Sequence, residues 1–233
     1  MRKRMTLLTA VALFAASGML HCFSRNPDLP GVPKNNLAVI IGDSIFALSG
    51  EEKLQIARNA RENYRGYAAS GAQMSGIADQ YTRARRAGSV RTVVMDGGGN
   101  NVLLGGQSAC TASSPSQVGR ECLRILQEAW DTGAVLLNRM WRDGVQDVVW
   151  QGYYELPGSN ARLNSALAVG VEGLRDICED APADCTFVDL TRVFRGESGT
   201  VSFDNIHPTT KGSRILGDTV WAAMVAAGIE QNR

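Results

Sequence analysis

Histidine is nearly missing from this chain: 233 residues contain two, His21 and His207. A multi-histidine metal centre is therefore excluded. Beyond the N-terminal region, any step that needs an imidazole has one candidate, His207. Cysteine is sparse as well, at five, and no two cysteines have CxxC spacing, so no metal ion is expected. Neither sign of charge dominates, with 24 Lys and Arg against 23 Asp and Glu. No basic stripe with interleaved aromatics occurs, which argues against nucleic acid as a partner. The glycine run at 97–99 is not followed by GK[ST], so it is no phosphate cradle. Internal repeats and low-complexity segments are absent. What remains is an ordinary globular composition, 44% hydrophobic and 20% charged, of a length that suits one good-sized core.

The N-terminus departs from this pattern. Arg2, Lys3 and Arg4 precede a stretch free of charge up to Arg25, with an apolar segment from Met5 to Leu20. That order reads as a secretory signal over residues 1–21: the apolar segment is shorter than the ~20 residues of an untilted membrane span, and Ala16, Ser17 and Gly18 offer the small residues a signal peptidase prefers. The expected destination is the periplasm or the outside of the cell. Cys22 resembles the acylated cysteine of a bacterial lipoprotein, although His21 stands where a small residue is usual; acylation there would tether the protein to a membrane. Residues 22–36 hold three of the seven prolines and read as a linker or tether, with the folded domain over 37–233.

Four further cysteines fall into two short-range pairs in a chain expected to be exported. The simplest connectivity joins Cys110 to Cys122 and Cys178 to Cys185, bridges that would rigidify loops rather than build the core.

From Leu37 onward, short apolar runs alternate with longer segments of helical period. Strands are expected at 37–41, 65–68, 90–95, 147–150 and 186–190. Helices are expected at 51–63, 76–86, 117–143, 163–181 and 208–228, the last with Pro208 in its first turn. In the longest, Leu123, Leu126, Trp130, Ala134, Leu137 and Trp141 recur every three or four residues and read as a core stripe. This alternation implies an α/β fold, a mostly parallel sheet with helices on both faces. Ligands then collect beyond the C-terminal ends of the strands.

The residues at those ends are chemically suggestive. Gly42-Asp43-Ser44 follows the first strand, Ser70-Gly71 the second and Gly97-Gly98-Gly99-Asn100-Asn101 the third, while Asp204-Asn205-Ile206-His207 precedes the last helix. A serine hydroxyl becomes a competent nucleophile when a base takes its proton, and His207 is the one histidine available for Ser44. Asp204, three residues earlier, can reach the other side of the same imidazole and fix its tautomer. The N–H groups of Ser44 and Gly71 and the side-chain amide of Asn100 supply donors for a developing oxyanion. Asp43 is read as a brace for the turn, and Asp189 as a polar strand-end residue.

The order and spacing of these four blocks resemble the SGNH hydrolases, the GDSL esterase/lipase family, over about 37–228. Ser44, Gly71, Asn100 and His207 match the four residues that give the family its name, and Asp204 matches its triad acid. Two departures stand out: GDSI replaces GDSL, and Asn101 stands where the third block usually has a carboxylate. The resemblance implies a three-layer α/β/α sandwich with a flavodoxin-like sheet of five strands. It also implies a serine esterase that needs no cofactor. Expected substrate walls are 101–122 and 151–160, with Asn101, Tyr153 and Tyr154 in contact with a small-molecule, carbohydrate or lipid ester. No long hydrophobic insertion is evident, which favours a short acyl group such as acetyl. The alternatives are lysophospholipase or thioesterase action on longer chains, acyl transfer to a polymer, and a non-catalytic binding module.

Overall fold

In the structure, a computed structural model that describes residues 26–229, five strands form one all-parallel sheet. They are β1 (Lys34–Ile41), β2 (Asn63–Gly66), β3 (Thr92–Met95), β4 (Asp147–Gln151) and β5 (Asp184–Val188), in the order β2-β1-β3-β4-β5. This is the flavodoxin-like order, whose switch point lies beside β1. Val39, Ile40 and Ile41, Val93 to Met95 and Val148 to Trp150 are all fully buried. A parallel sheet covered on both faces requires such unbroken apolar runs instead of alternation.

Among the described residues, seven α-helices cover the sheet: α1 (Ser44–Ala47), α2 (Glu51–Ala60), α3 (Met74–Arg86), α4 (Gly99–Gly105), α5 (Arg120–Arg142), α6 (Asn164–Glu179) and α7 (Thr210–Ala226). On one face Val39, Ile41, Val93, Met95, Val148 and Trp150 pack with Met74, Ile77, Leu136, Met140 and Leu174 from α3, α5 and α6. On the other, Ala38, Ile40, Val94 and Val149 pack with Phe46, Ile56, Leu216, Val220 and Met224 from α1, α2 and α7. The result is the three-layer α/β/α sandwich.

Several boundaries differ from the sequence reading, each for a local reason. β1 begins at Lys34, and residues 26–33, read as tether, are tied to β2 and α2. The Asn63 side chain accepts the Leu29 N–H at 2.6 Å and donates to the Leu29 and Val32 carbonyls. The buried Lys53 ammonium donates to the Pro27 carbonyl at 2.6 Å and to Asp28 at 2.7 Å. Proline carbonyls accept as well as any others, so a proline-rich segment can shield an edge strand. Helix α2 stops three residues early because Arg61 adopts a left-handed conformation (φ 57°). Pro208 lies outside α7: Thr209 caps that helix by accepting the Gly212 N–H, and Pro208 bridges to Val201. The stripe of α5 is shifted, for Leu123 and Trp141 are exposed, and Ile125, Ala129, Gly133, Leu136 and Met140 join Leu126 and Leu137 inside. The short helices α1 and α4 have no counterpart in the sequence reading.

Both disulfides join the expected partners, Cys110 to Cys122 and Cys178 to Cys185. They are not peripheral loop staples. Cys110 and Cys122 sit at the centre of a small buried cluster between α4, α5 and α6, and Cys178 belongs to the main core. The signal segment 1–21 and Cys22 lie outside the described residues. No helix among the described residues is long and apolar enough to cross a membrane.

Candidate active site

Each chemically suggestive block stands at the C-terminal rim of the sheet. β1 ends at Ile41, and the chain turns at Gly42, where φ is 151°. A Cβ at Gly42 would lie 2.2 Å from Asp96 Oδ1, so glycine is required for both conformation and room. The Gly42 peptide is clamped from both sides by Gln80: its N–H donates to Oε1 at 2.7 Å, and its carbonyl accepts from Nε2 at 2.8 Å. The Asp43 N–H donates to Asp96 Oδ1 at 2.6 Å, and Asp43 Oδ1 accepts the Ile45 N–H at 2.9 Å as the N-cap of α1. Ser44 thus opens α1 with its hydroxyl at the rim.

His207 Nε2 lies 2.9 Å from Ser44 Oγ, and His207 Nδ1 lies 2.6 Å from Asp204 Oδ2. The other oxygen of Asp204 accepts from the Ser202 hydroxyl at 2.7 Å and from the Ile206 and His207 N–H groups at 2.9 Å each. Burial pushes the Asp204 carboxyl up, but the hydrogen bonds from His207, Ser202 and Ile206 outweigh it and hold the carboxyl well below its usual range. An ionised Asp204 keeps the Nδ1 proton in place and leaves Nε2 facing the serine.

Asn100 is buried as the second residue of α4. One proton of its side-chain amide goes to the Ala72 carbonyl at 3.1 Å, and the other remains for a ligand. Gly71 is exposed with φ 76°. In the glycine run, Gly98 alone has a left-handed φ, 100°. Gly99 is needed for space, since a Cβ would come within 2.8 Å of the Tyr153 ring, whereas at Gly97 it would meet the flexible ends of Met74 and Ile77, the nearest at 2.7 Å. Asn101 is engaged within the protein: its Oδ1 accepts the Met74 N–H at 3.0 Å at the start of α3. A carboxylate could accept the same bond, so asparagine at this position preserves the contact.

The two tyrosines expected at the substrate are also held inside. The Tyr153 hydroxyl donates to Asp43 Oδ2 at 2.8 Å and accepts the Gly99 N–H at 3.0 Å, and the Tyr154 hydroxyl donates to the Ile206 carbonyl at 2.5 Å. Behind the serine turn, Asp43, Glu52 and Asp96 are all buried. Desolvation, opposed by Gln151 and reinforced by the charge of Asp43, holds the Glu52 carboxyl well above its ordinary range. Desolvation and then Asp43 do the same to Asp96. Among the described residues, no group of three or more His, Cys, Asp or Glu side chains is arranged to hold a metal ion.

A narrow cavity of about 70 Å³ opens at Ser44, Gly99 and Asn100 and runs between α4, α5 and α6. Leu126, Ala129, Trp130, Ala166, Leu167 and Val171 line its length. The expected walls contribute Val102, Leu103, Tyr153, Tyr154 and Leu156, and α5 and α6, which lie largely outside those walls, line the rest of its length. Trp130, read from its spacing as core alone, is a wall of this cavity, its indole N–H donating to the Gly170 carbonyl at 3.2 Å. A helical stripe facing a sheet and one facing a cleft have the same period, so spacing could not separate them.

No curated protein matches this chain in sequence. Among solved structures, similar folds include a lipase from a goat rumen metagenome (15% identity, 80% of this chain and 96% of that one, TM-score 0.62). A catalytic mutant of an acetylxylan esterase from Geobacillus stearothermophilus is similar to the same degree (15%, 83% and 95%, 0.62). The C-terminal catalytic domain of a peptidoglycan O-acetyltransferase from Streptococcus pneumoniae is also similar (15%, 85% and 97%, 0.56). At these identities the likeness shows the fold. Residues 40–215, which span the serine turn, the oxyanion blocks and the Asp204–His207 loop, match the GDSL-like Lipase/Acylhydrolase family. With that match over most of its length, the chain belongs to this family of SGNH-type hydrolases and is a carboxylic ester hydrolase.

Proposed function

We propose that the protein is an exported esterase that cleaves esters of medium-length acyl chains through an acyl-enzyme on Ser44. In this reading His207 Nε2 removes the Ser44 proton as Oγ attacks the ester carbonyl. The negative charge that develops on the carbonyl oxygen is met by the Ser44 and Gly71 N–H groups and the free proton of the Asn100 amide. Collapse of the tetrahedral intermediate expels the alcohol, which takes its proton from His207. Water then attacks the acyl-enzyme by the same route and releases the acid. Asp204 orients the imidazole throughout.

The acyl length rests on one observation, the apolar cavity that opens at Ser44 and Asn100. An acetyl group would leave it empty, and burial of a methylene is worth about 0.8 kcal/mol. The cavity is lined along its length by apolar side chains, among them Leu126, Ala129, Trp130, Leu167 and Val171, which suits butyryl to octanoyl chains better than acetyl. This reading favours a longer acyl chain than the acetyl-like group expected from sequence. Export is supported by the N-terminal pattern and by two disulfides, which persist in oxidising compartments.

The test is a chain-length series of p-nitrophenyl esters from acetyl to palmitoyl, read as kcat/KM with wild type and Ser44→Ala. The expected profile peaks between four and eight carbons and vanishes in Ser44→Ala. A maximum at acetyl with a monotonic fall thereafter would remove the acyl-length reading. Activity retained by Ser44→Ala would remove the nucleophile.

A further inference from the structure

The segment that leaves β4 carries two consecutive tyrosines. It is held rigidly: the Gly152 N–H donates to the Val188 carbonyl at 2.9 Å and the Glu155 N–H to the Thr191 carbonyl at 3.1 Å, so pairing alongside the chain continues past β5. In extended backbone, neighbouring side chains point to opposite sides. Tyr153 accordingly packs toward Gly99 and Asp43, while Tyr154 packs against Phe194, with ring centroids 4.6 Å apart, and reaches Ile206.

The partners of the two hydroxyls form a pattern. Tyr153 binds Asp43 and Gly99, and Tyr154 binds Ile206. These residues immediately precede Ser44, Asn100 and His207. The three groups assigned to the reaction arrive on three separate loops, and one rigid dipeptide touches the residue before each. We infer that Tyr153 and Tyr154 are positioning residues: Tyr153 sets the serine turn against the turn that carries Asn100, and Tyr154 sets the height of the His207 loop. Neither hydroxyl is free to bind an ester, because Tyr153 uses its proton on Asp43 and a lone pair on Gly99, and Tyr154 uses its proton on a carbonyl. Gly99 belongs to the same device, since a side chain there would collide with the Tyr153 ring.

The inference rests on the assignment of Ser44, Asn100 and His207, and its test separates the two. Tyr153→Phe keeps the ring against Gly99 and removes only the bridging oxygen. Misplacement of reacting groups by about 1 Å costs on the order of 10²-fold in rate, so kcat is expected to fall ~10- to 100-fold while KM stays within about twofold at every acyl length. In an Asn100→Ala background the same substitution is expected to cost much less, because the turn it sets no longer carries a donor. Tyr154→Phe acts through His207, so it is expected to slow fluorophosphonate labelling of Ser44 and to keep its full cost in the Asn100→Ala background. A purely structural role would lower Tm and leave kcat unchanged. A substrate contact would give a KM change that grows with chain length. Undiminished loss from Tyr153→Phe beside Asn100→Ala would also overturn the inference. If Tyr153→Phe does not fold, Asp43→Asn, whose amide oxygen keeps the Ile45 cap, turns an N–H instead of an acceptor toward the Tyr153 hydroxyl while the ring stays, and the same outcomes apply. Activity that survives Ser44→Ala would instead overturn the underlying site assignment.

Discussion

His207 Nε2 lies 2.9 Å from Ser44 Oγ although 163 residues separate them in sequence. The contact exists because both residues flank the same layer of the sandwich: Ser44 begins α1 at the end of β1, and the loop before α7 returns over the same rim. Helices α2 and α7, which follow these two residues, pack on each other. Across their contact Gly217 admits Gln55, and a Cβ there would come 2.7 Å from the Gln55 side chain. The serine and its base are thus held together by helix packing outside the site itself.

Removal of any reacting group has a distinct expected size. Ser44→Ala or His207→Ala is expected to lower kcat by about 10⁴-fold or more, and the double variant by little beyond either single one, because nucleophile and base act as a unit. Asn100→Ala removes one oxyanion donor and is expected to cost ~10²- to 10³-fold in kcat. Steady-state kinetics on one activated ester check all four variants.

The apolar cavity is expected to respond to a bulky wall. Leu167 lines it from α6 and is part-exposed, so Leu167→Trp intrudes without a change in the deeply buried core. The hexanoyl-to-acetyl ratio of kcat/KM is expected to fall about tenfold, roughly the loss of two buried methylenes at ~0.8 kcal/mol each. The ratio, measured on paired p-nitrophenyl esters, is insensitive to errors in active-enzyme concentration.

The buried carboxyl of Glu52 makes stability depend on pH. Its carboxyl is fully buried, and desolvation raises its folded pKa well above the ordinary 4.5. Such a group binds more protons folded than unfolded. Its contribution is fully present below pH 4.5 and is lost as pH rises toward the folded pKa, at up to about 1.4 kcal/mol per pH unit. Glu52→Gln is expected to flatten the decline of stability above pH 4.5, measured by urea melts across pH 4 to 9. An unchanged slope would mean that Glu52 does not carry this linkage.

The second disulfide fastens the end of α6 to the second residue of β5. Replacement of Cys178 and Cys185 by alanine together is expected to cost about 2–3 kcal/mol, the loop-closure value for so short a ring. Chemical denaturation of the variant gives the number, and peptide mapping without reduction checks the pairing itself.

The parallel sheet was legible because its central strands are buried on both faces and therefore appear as uninterrupted runs such as Val148-Val149-Trp150. His207 was legible because histidine is so rare here, and Ser44 and Asp204 through the resemblance of their sequence blocks to the SGNH hydrolases. The roles of Asn101, Tyr153 and Tyr154 were not. All three were expected at the substrate; Tyr153 and Tyr154 do line the cavity, but the Asn101 oxygen is committed to Met74, the Tyr153 hydroxyl to Asp43 and Gly99, and the Tyr154 hydroxyl to Ile206. Hydrogen-bond partners 27 to 110 residues away leave no local trace.

Sequence by itself determined the alternation of strands and helices and the cysteine pairs, because periodicity and short loop spans are local properties, and its motif blocks pointed to the proposed reacting groups. Only the tertiary structure decided which apolar stripe faces a cavity and which faces the sheet, and which polar groups are left for a ligand. Both depend on how α4, α5 and α6 lie against one another and on which carbonyl or carboxylate reaches each donor first.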